Sequence, residues 1–199
     1  AGDVGGGFGA KLSVDSEYFA ILGSILCERP VNWVESRTEW MHAGPGARDY
    51  HTSSRMAFTR TGKILAMETK ILADMGCDGA ERGAGIGMPL NGGNYAPGPY
   101  IIDTYRTHVE CVVTNKGPYN AYRGYGKDLA NMLIERILDQ AADRLEIDPI
   151  EIRRRNLLTS YPFQLVTGPI IENGSLRECL DKLEANMKLS ELREQQIAA

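Results

Sequence analysis

The chain has 199 residues, of which 43% are hydrophobic and 24% are charged, as in ordinary globular proteins with a core of their own. The net charge of -4 leaves no excess of basic residues to neutralise a polyanion, so nucleic acid is excluded as the expected partner. No segment offers about 18 uninterrupted apolar residues, so we expect no membrane span.

The cysteines and histidines lack the spacing of a metal site. The 4 cysteines form no C-x-x-C pair and the 3 histidines form no H-E-x-x-H motif, so we expect no metal held directly by side chains. Scattered cysteines are typical of reduced proteins, which predicts a cytoplasmic location. Because the chain begins at Ala1 and enters a glycine-rich segment almost at once, we expect it to be a piece of a longer protein.

The first predicted element is a buried helix. Asp15 and Ser16 can cap a helix over residues 17–28, whose apolar residues leave little polar face, and this indicates burial. Pro30 ends that helix, and residues 31–34 then predict a short strand.

A hairpin is expected next. Two strand-like runs over residues 50–59 and 63–74 flank Thr61 and Gly62, a pair that suits a tight turn. The sheet is therefore at least partly antiparallel. Residues 76–99 are dense in glycine, proline and asparagine, which indicates a long functional or mobile loop.

The remaining elements are mostly helices. Residues 105–113 alternate like a strand, and an apolar stripe then predicts a helix capped by Asp128 and running to about residue 145. Asp148 can cap a second helix that reaches about residue 158. Arginines 153–155 near its end are interpreted as dipole-complementing charges on a solvated face, with an anion site as the alternative. A last helix is expected over residues 176–192.

These elements predict an α+β fold in which a two-layer arrangement packs a mixed or antiparallel sheet against helices. We expect residues 1–160 to belong to one binding domain and residues 161–199 to form a helical extension toward a missing second half.

Two glycine-rich segments also contain aromatic residues. Residues 5–9 read Gly-Gly-Gly-Phe-Gly, and residues 121–126 read Ala-Tyr-Arg-Gly-Tyr-Gly; we call them the first and the second glycine loop. Small residues let a backbone approach a ligand closely. The two loops therefore predict one shared site at which they meet in space.

Phosphate-binding motifs fit the first glycine loop poorly. A Walker motif needs adjacent Gly-Lys, whereas Ala10 separates Gly9 from Lys11. The relaxed dinucleotide pattern fits Gly5 to Ala10, but the chain before it is too short for the strand that this motif requires. A stand-alone nucleotide- or phosphate-binding module stays open as the alternative function.

In order and separation, these motifs resemble the molybdopterin-binding subunit of the xanthine dehydrogenase and aldehyde oxidase family, the molybdenum hydroxylases, and also the carbon monoxide dehydrogenase large subunit. The first glycine loop with Lys11 is similar to the family's first cofactor loop, and the second glycine loop is similar to its second. The resemblance continues through Glu135-Arg136, Asp148-Pro149-x-Glu151-x-Arg153 and Asn156.

By this resemblance the cofactor is a molybdenum pyranopterin, plain or as the cytosine dinucleotide, which carries its metal on its own dithiolene sulfurs. The resemblance implies that Arg123 acts beside the metal as a catalytic donor and that Tyr125 contacts the substrate. A packing role is the alternative for Tyr125, and Phe8 could equally anchor its loop. The implied cofactor-binding residues are Gly6, Gly7, Phe8, Gly9, Arg123 and Gly124.

The family's reaction is the oxidative hydroxylation of an electron-poor carbon with oxygen from water. The resemblance implies partner subunits or domains that carry iron–sulfur centres and FAD, and a remaining half of the molybdopterin subunit that supplies a general-base glutamate. We therefore expect this chain alone to be catalytically incomplete. We also expect it to self-associate as a homo-oligomer, because surface that the remainder covers would be exposed.

Departures from the family pattern narrow the substrate. Leu12 follows Lys11 where purine-oxidising members carry glutamate, and Gly124 stands where carbon monoxide dehydrogenases place cysteine. Purine oxidation and a copper–sulfur–molybdenum centre are therefore not expected. Lys127 and Asp128 also replace small or proline residues. An aldehyde, an N-heterocycle and an aromatic thioester stay open as substrates.

Overall fold

The computed structural model describes residues 5–9, 11–12, 15–44, 46–77 and 85–198. The helices are α1 (Asp15–Cys27), α2 (Arg37–Ala43), α3 (Gly87–Tyr95), α4 (Lys127–Leu145), α5 (Pro149–Asn156), α6 (Leu176–Met187) and α7 (Leu189–Ala198). The strands are β1 (Tyr50–Phe58), β2 (Ile64–Asp74), β3 (Thr104–Val112), β4 (Phe163–Gln164) and β5 (Ile170–Ile171). Helices and strands in these proportions confirm the predicted α+β class.

The chain forms two compact units, each built from separate segments. Unit 1 comprises Ala1–Thr52, Lys70–Gly93 and His108–Asp128, and unit 2 comprises Ser53–Thr69, Asn94–Thr107 and Leu129–Ala199. The expected boundary at residue 160 stays a prediction. In the described residues, no helix is long and apolar enough to cross a membrane.

The main sheet has the strand order β1-β2-β3, and its first pair is the predicted hairpin. The amide of Gly62 donates to the carbonyl of Thr59 at 3.0 Å, and the amide of Thr59 donates to the carbonyl of Lys63 at 2.9 Å. Gly62 has a φ of 81°, a conformation that glycine adopts without steric cost. The hairpin makes β1 and β2 antiparallel, as the sequence predicts.

β2 and β3 run parallel. The amide of Met75, directly after β2, donates to the carbonyl of Val112 at the end of β3, so the two strands end side by side. Arg106 near the start of β3 lies 3.9 Å from Glu68 near the start of β2, which gives the same register. Parallel neighbours require a crossover, and α3 lies in the connection between them. The sheet is therefore mixed.

The core of unit 2 lies where α4 and α5 meet the sheet residues of that unit. Ile134 and Leu138 of α4 and Ile152 of α5 are fully buried, so apolar residues of both helices face this core. The other buried members of this cluster are Ile64, Met67, Ala96, Tyr100, Ile102, Ala141, Ala142 and Leu157.

A polar group inside this core fixes α5. The side chain of Asn156 donates to the carbonyls of Gly62 and Ile152 at 2.8 and 2.7 Å, and it accepts from the amide of Ile64 at 2.8 Å. The amide of Ile64 and the carbonyl of Gly62 thereby gain a partner inside the core, as buried polar groups require. α5 begins as predicted, because the Asp148 carboxylate accepts from the amide of Ile150 at 2.8 Å.

An ion cluster ties unit 1 together. The Lys116 ammonium lies 2.6 Å from the Asp49 carboxylate and 2.8 Å from that of Asp74. Asp74 also accepts from the Thr114 hydroxyl at 2.7 Å and from the amide of Gly76 at 2.9 Å. These hydrogen bonds, first that from Lys116, lower the pKa of Asp74 to about 2. The cluster joins the residue before β1, the end of β2 and the segment that leads into the second glycine loop.

Several predicted elements are wrong. Residues 31–34 form no strand, and part of the expected loop at 76–99 is the helix α3; residues 78–84 lie outside the described residues. α1 forms, but it is not buried: Leu22 is 55% exposed and Leu26 is 83% exposed. The predicted C-terminal helix breaks at Lys188, whose φ is 48°, into α6 and α7.

The interpretation of arginines 153–155 as charges on a solvated face is also wrong for two of them. The side chain of Arg153 is only 18% exposed and lies 2.7 Å from Glu135 and 2.8 Å from Asp139. That of Arg154 is 21% exposed and pairs with two carboxylates of α6 at 2.7 and 2.8 Å. These arginines therefore bind helices of unit 2 to one another.

Candidate functional site

The two glycine loops meet, as predicted. A Cβ added at Gly9 would lie 2.9 Å from the backbone oxygen of Ala121, so the backbones of the two loops are in contact. The guanidinium carbon of Arg123 lies 5.6 Å from the centre of the Phe8 ring, within the range of a cation–π contact. The predicted convergence is confirmed, and both loops belong to unit 1.

The first glycine loop presents an aromatic ring on a tightly turned backbone. Phe8 has a φ of 53° and its side chain is 56% exposed. A Cβ at Gly6 would lie 2.9 Å from the Phe8 ring, and one at Gly7 would lie 3.3 Å from the Cβ of Lys11. The glycines therefore leave room for the Phe8 ring and the Lys11 side chain to pack against the loop backbone.

The second glycine loop is wound in an unusual backbone conformation. Gly124, Tyr125 and Gly126 have φ values of 98°, 48° and 88°, all in the region that side-chain-bearing residues disfavour. Gly126 packs directly against the carbonyl oxygen of Met88 in α3, where a Cβ has no room. α3 thus supports the loop from one side.

Tyr125 lies against α3 as well. Its hydroxyl group contacts the backbone of Gly87, the first residue of α3, and the residue is half-buried. This contact agrees with the packing alternative for Tyr125, while its role toward a substrate stays a prediction. Arg123, in contrast, is exposed.

Sequence reasoning missed Arg48, which reaches the second glycine loop from a distant part of the chain. Its Nη2 donates to the backbone carbonyl of Arg123, and its Nε donates to the carboxylate of Asp128. Its guanidinium carbon lies 5.4 Å from the centre of the Tyr122 ring. Asp128 is not the cap that the sequence suggests, because α4 already begins at Lys127.

Two buried polar groups lie next to this contact. The Asn120 side chain accepts from the amide of Ala121 at 2.7 Å, and the backbone amide of Asn120 donates to the carbonyl of Gly46 at 3.0 Å. The Tyr50 hydroxyl is buried. Burial, followed by the charge of Asp128, raises the pKa of Tyr50 to about 12, so this hydroxyl stays protonated at neutral pH.

The donor set at the loops suits an anionic organic group better than a bare metal ion. It consists of the exposed guanidinium of Arg123 and the ring of Phe8, on loops whose glycines carry no side chains. Among the described residues, no group of three or more His, Cys, Asp or Glu side chains is placed to hold a metal. A cofactor that brings its own metal ligands fits these residues, since positive charge and backbone N–H groups bind anionic oxygens.

Comparisons with known proteins also indicate a cofactor that carries its own metal. The sequence profile of the molybdopterin cofactor-binding domain matches residues 1–157. The chain is 36% identical over 186 residues to the carbon monoxide dehydrogenase large chain of Hydrogenophaga pseudoflava, covering 91% of this chain and 23% of that protein. It is 33% identical over 184 residues to the nicotine 6-hydroxylase large subunit of Paenarthrobacter nicotinovorans, covering 92% and 22%.

The solved structure of quinoline 2-oxidoreductase from Pseudomonas putida 86 superposes with a TM-score of 0.90 at 30% sequence identity, covering 98% of this chain and 25% of that one. The chain therefore spans about a quarter of the length of the relatives it matches. Since the profile match includes both glycine loops, a stand-alone nucleotide-binding module is not supported.

Proposed function

Because the chain belongs to the molybdopterin cofactor-binding domain family, we propose that it is the cofactor-binding part of a molybdenum hydroxylase-type oxidoreductase. The proposed enzyme hydroxylates an aldehyde, an N-heterocycle or a related electrophilic carbon with oxygen from water. The observation that carries this proposal is the contact of the two glycine loops, with Arg123 placed over Phe8.

The first glycine loop would hold the pterin side of the cofactor. The backbone of Gly6, Gly7 and Gly9 offers N–H groups without side chains that block a close approach. The half-exposed ring of Phe8 shields one side of this backbone from water. When bound, the cofactor supplies a molybdenum centre that accepts two electrons from the substrate.

Arg123 and Gly124 would complete the site from the second glycine loop. The guanidinium of Arg123 is a fixed cation that donates toward negative charge developing on oxygen, and such preorganised donors contribute strongly to catalysis. Stacking on Phe8 limits the motion of this side chain. Tyr125 would limit the space for the substrate, with its hydroxyl held against Gly87.

The substrate proposal excludes two known subclasses. A cysteine in place of Gly124 would put its Cβ 2.8 Å from Asp128 Oδ1, at a φ of 98°, so this loop is not built for the cysteine of a copper–molybdenum centre. Leu12 is 60% exposed beside the first glycine loop, and a leucine offers no charge for a purine. An aldehyde or a planar N-heterocycle therefore fits the proposal better.

We further propose that the complete enzyme contains iron–sulfur and FAD subunits or domains, as the resemblance implies, since this chain spans only about a quarter of the length of its relatives. Residues 1–160 would form the binding domain proper, and residues 161–199 would lead toward the remainder of the subunit. The cofactor form, pyranopterin alone or cytosine dinucleotide, depends on that remainder. The free cysteines Cys27, Cys77, Cys111 and Cys179 agree with a cytoplasmic location.

The test is Arg123→Ala in the complete enzyme, compared with Arg55→Ala. Arg55 lies on β1, where its side chain is 79% exposed and pairs with the carboxylate of Glu68. Loss of a preorganised donor typically lowers kcat about a hundredfold or more, so Arg123→Ala should lose turnover while Arg55→Ala keeps it. Molybdenum content, measured in both, separates lost chemistry from lost cofactor. Near-normal turnover of Arg123→Ala with full molybdenum would remove Arg123 from the mechanism.

A further inference from the structure

Arg48 contacts the second glycine loop at more than one point. It bonds to the carbonyl of Arg123 and to the carboxylate of Asp128, and it lies over the ring of Tyr122. We propose that Arg48, acting with Asp128, is a positioning residue that sets where Arg123 stands in the site. This assignment rests on the proposed function, because it matters for turnover only if Arg123 acts in the reaction.

The second glycine loop needs such a contact because its own sequence does not fix it. Three successive residues, Gly124 to Gly126, have positive φ values, and two of them are glycines, whose backbone has the most freedom to lose on folding. In the described residues, the guanidinium of Arg123 has no carboxylate partner. Apart from its contact with the Phe8 ring, the direction of its side chain therefore depends on how firmly its backbone is held.

The Arg48–Asp128 pair holds this backbone on both sides of the turn. Arg48 binds the carbonyl of Arg123, while Asp128 Oδ1 accepts from the amide of Gly126 at 3.1 Å. The two side chains also bind each other. One ion pair thus fixes the carbonyl of the residue before the glycine turn and the amide of the last residue of the turn. We call this Arg48–Asp128 ion pair the clasp.

Arg48 is itself anchored beside the start of the loop. The amide of Gly46 donates to the carbonyl of Pro118 at 2.9 Å, and the amide of Asn120 donates to the carbonyl of Gly46 at 3.0 Å. The Arg48 and Asp128 side chains are 35% and 34% exposed, so water and salt screen this pair less than a fully exposed one. The clasp therefore connects the segment held by the hydrogen bonds of Gly46 to the first turn of α4.

Release of this clasp should move Arg123 rather than unfold the protein. A misplacement of about 1 Å can cost a catalytic group about a hundredfold in rate, so Arg48→Ala should lower kcat between about tenfold and a hundredfold. KM should change by less than about threefold, because removal of an interaction made only in the transition state lowers kcat and leaves ground-state binding. Arg48→Lys should recover only part of kcat, since one ammonium cannot span a carboxylate and a carbonyl as the guanidinium fork does.

The experiment compares Arg48→Ala, Asp128→Ala and the double variant in the complete enzyme, with Arg55→Ala as the control for loss of a surface ion pair. Hydrogen–deuterium exchange of the peptide over residues 121–127 is measured with kcat, KM and molybdenum content. We expect faster exchange in that peptide and unchanged exchange in β2 for both single variants. The double variant should be no worse than either single variant, because both remove one clasp.

Wild-type exchange over residues 121–127 in Arg48→Ala would overturn the positioning role, whatever the activity. Effects of the two single variants that simply add in the double variant would also overturn it. Failure of the proposed function has a different signature: Arg123→Ala itself would keep full turnover and full molybdenum. A merely structural role would lower Tm and molybdenum content together, and that result would contradict the proposal as well.

Discussion

Replacement of Asn156 by alanine tests how α5 is attached to the sheet hairpin. The side chain makes hydrogen bonds of 2.7 to 2.8 Å to three backbone groups and is only 2% exposed. Alanine leaves the amide of Ile64 and the carbonyl of Gly62 buried without this partner. Each such group costs about 1 to 3 kcal/mol, so Asn156→Ala should lower the free energy of unfolding by about 2 to 6 kcal/mol.

Urea denaturation followed by circular dichroism measures this loss, with Asn173→Ala as the control. Asn173 is exposed, and surface substitutions of this kind usually change stability by less than about 0.5 kcal/mol. A total stability of about 5 to 15 kcal/mol makes the predicted loss a large fraction of the whole. A loss below about 1 kcal/mol for Asn156→Ala would refute the reasoning, because the buried hydrogen bonds would then contribute almost nothing net.

Two further predictions concern pH and association. The hydrogen bonds from Lys116 and its neighbours lower the pKa of Asp74 to about 2. The stability that the Asp74 carboxylate contributes is therefore present above its unfolded pKa of about 3.9, and it is lost as the pH falls toward 2. Urea midpoints between pH 6 and pH 2 should therefore fall less steeply for Asp74→Asn than for the wild type; equal slopes would contradict this. The exposed face of α1 predicts that the chain associates with itself. Leu26 is 83% exposed on this helix, so Leu26→Lys should lower the particle size measured by light scattering. An unchanged particle size would show that α1 is not the contact between copies.

The elements that the sequence predicts best are those with both an apolar period and a cap. α4 shows its stripe over many turns, and Asp148 supplies the first hydrogen bonds of α5. α2 was missed although Ser36 and Glu39 form a capping box, because a seven-residue helix without buried residues has no apolar period to detect. The C-terminal helical segment begins at Leu176 as predicted, but nothing in its pattern reveals the break at Lys188.

Some residues of the candidate site could likewise be predicted from the sequence, and others could not. Glycine and aromatic residues within one short segment mark each loop, so Phe8 and Arg123 could be found from sequence. Arg48 could not, because its partners lie 75 and 80 residues away and no local pattern marks an arginine that binds a backbone carbonyl. The exposure of α1 could not be predicted from the sequence either. An apolar helix indicates that its apolar residues are covered, but it does not show whether this chain or another one covers them.

The most direct test of the central claim, that the two glycine loops together hold a molybdenum cofactor, is the molybdenum and pterin content of Gly9→Ala in the complete enzyme. Gly168→Ala is the matched control, because Gly9 and Gly168 have similar positive φ values of 94° and 105°. The two sites differ in space: an added Cβ lies 2.9 Å from the Ala121 carbonyl oxygen at Gly9, whereas it meets nothing within 4 Å at Gly168. We predict stoichiometric molybdenum and pterin in the wild type and in Gly168→Ala, and loss of most of both in a folded Gly9→Ala. Full molybdenum and pterin in Gly9→Ala, or none in wild-type enzyme from a host that makes the cofactor, would contradict the account.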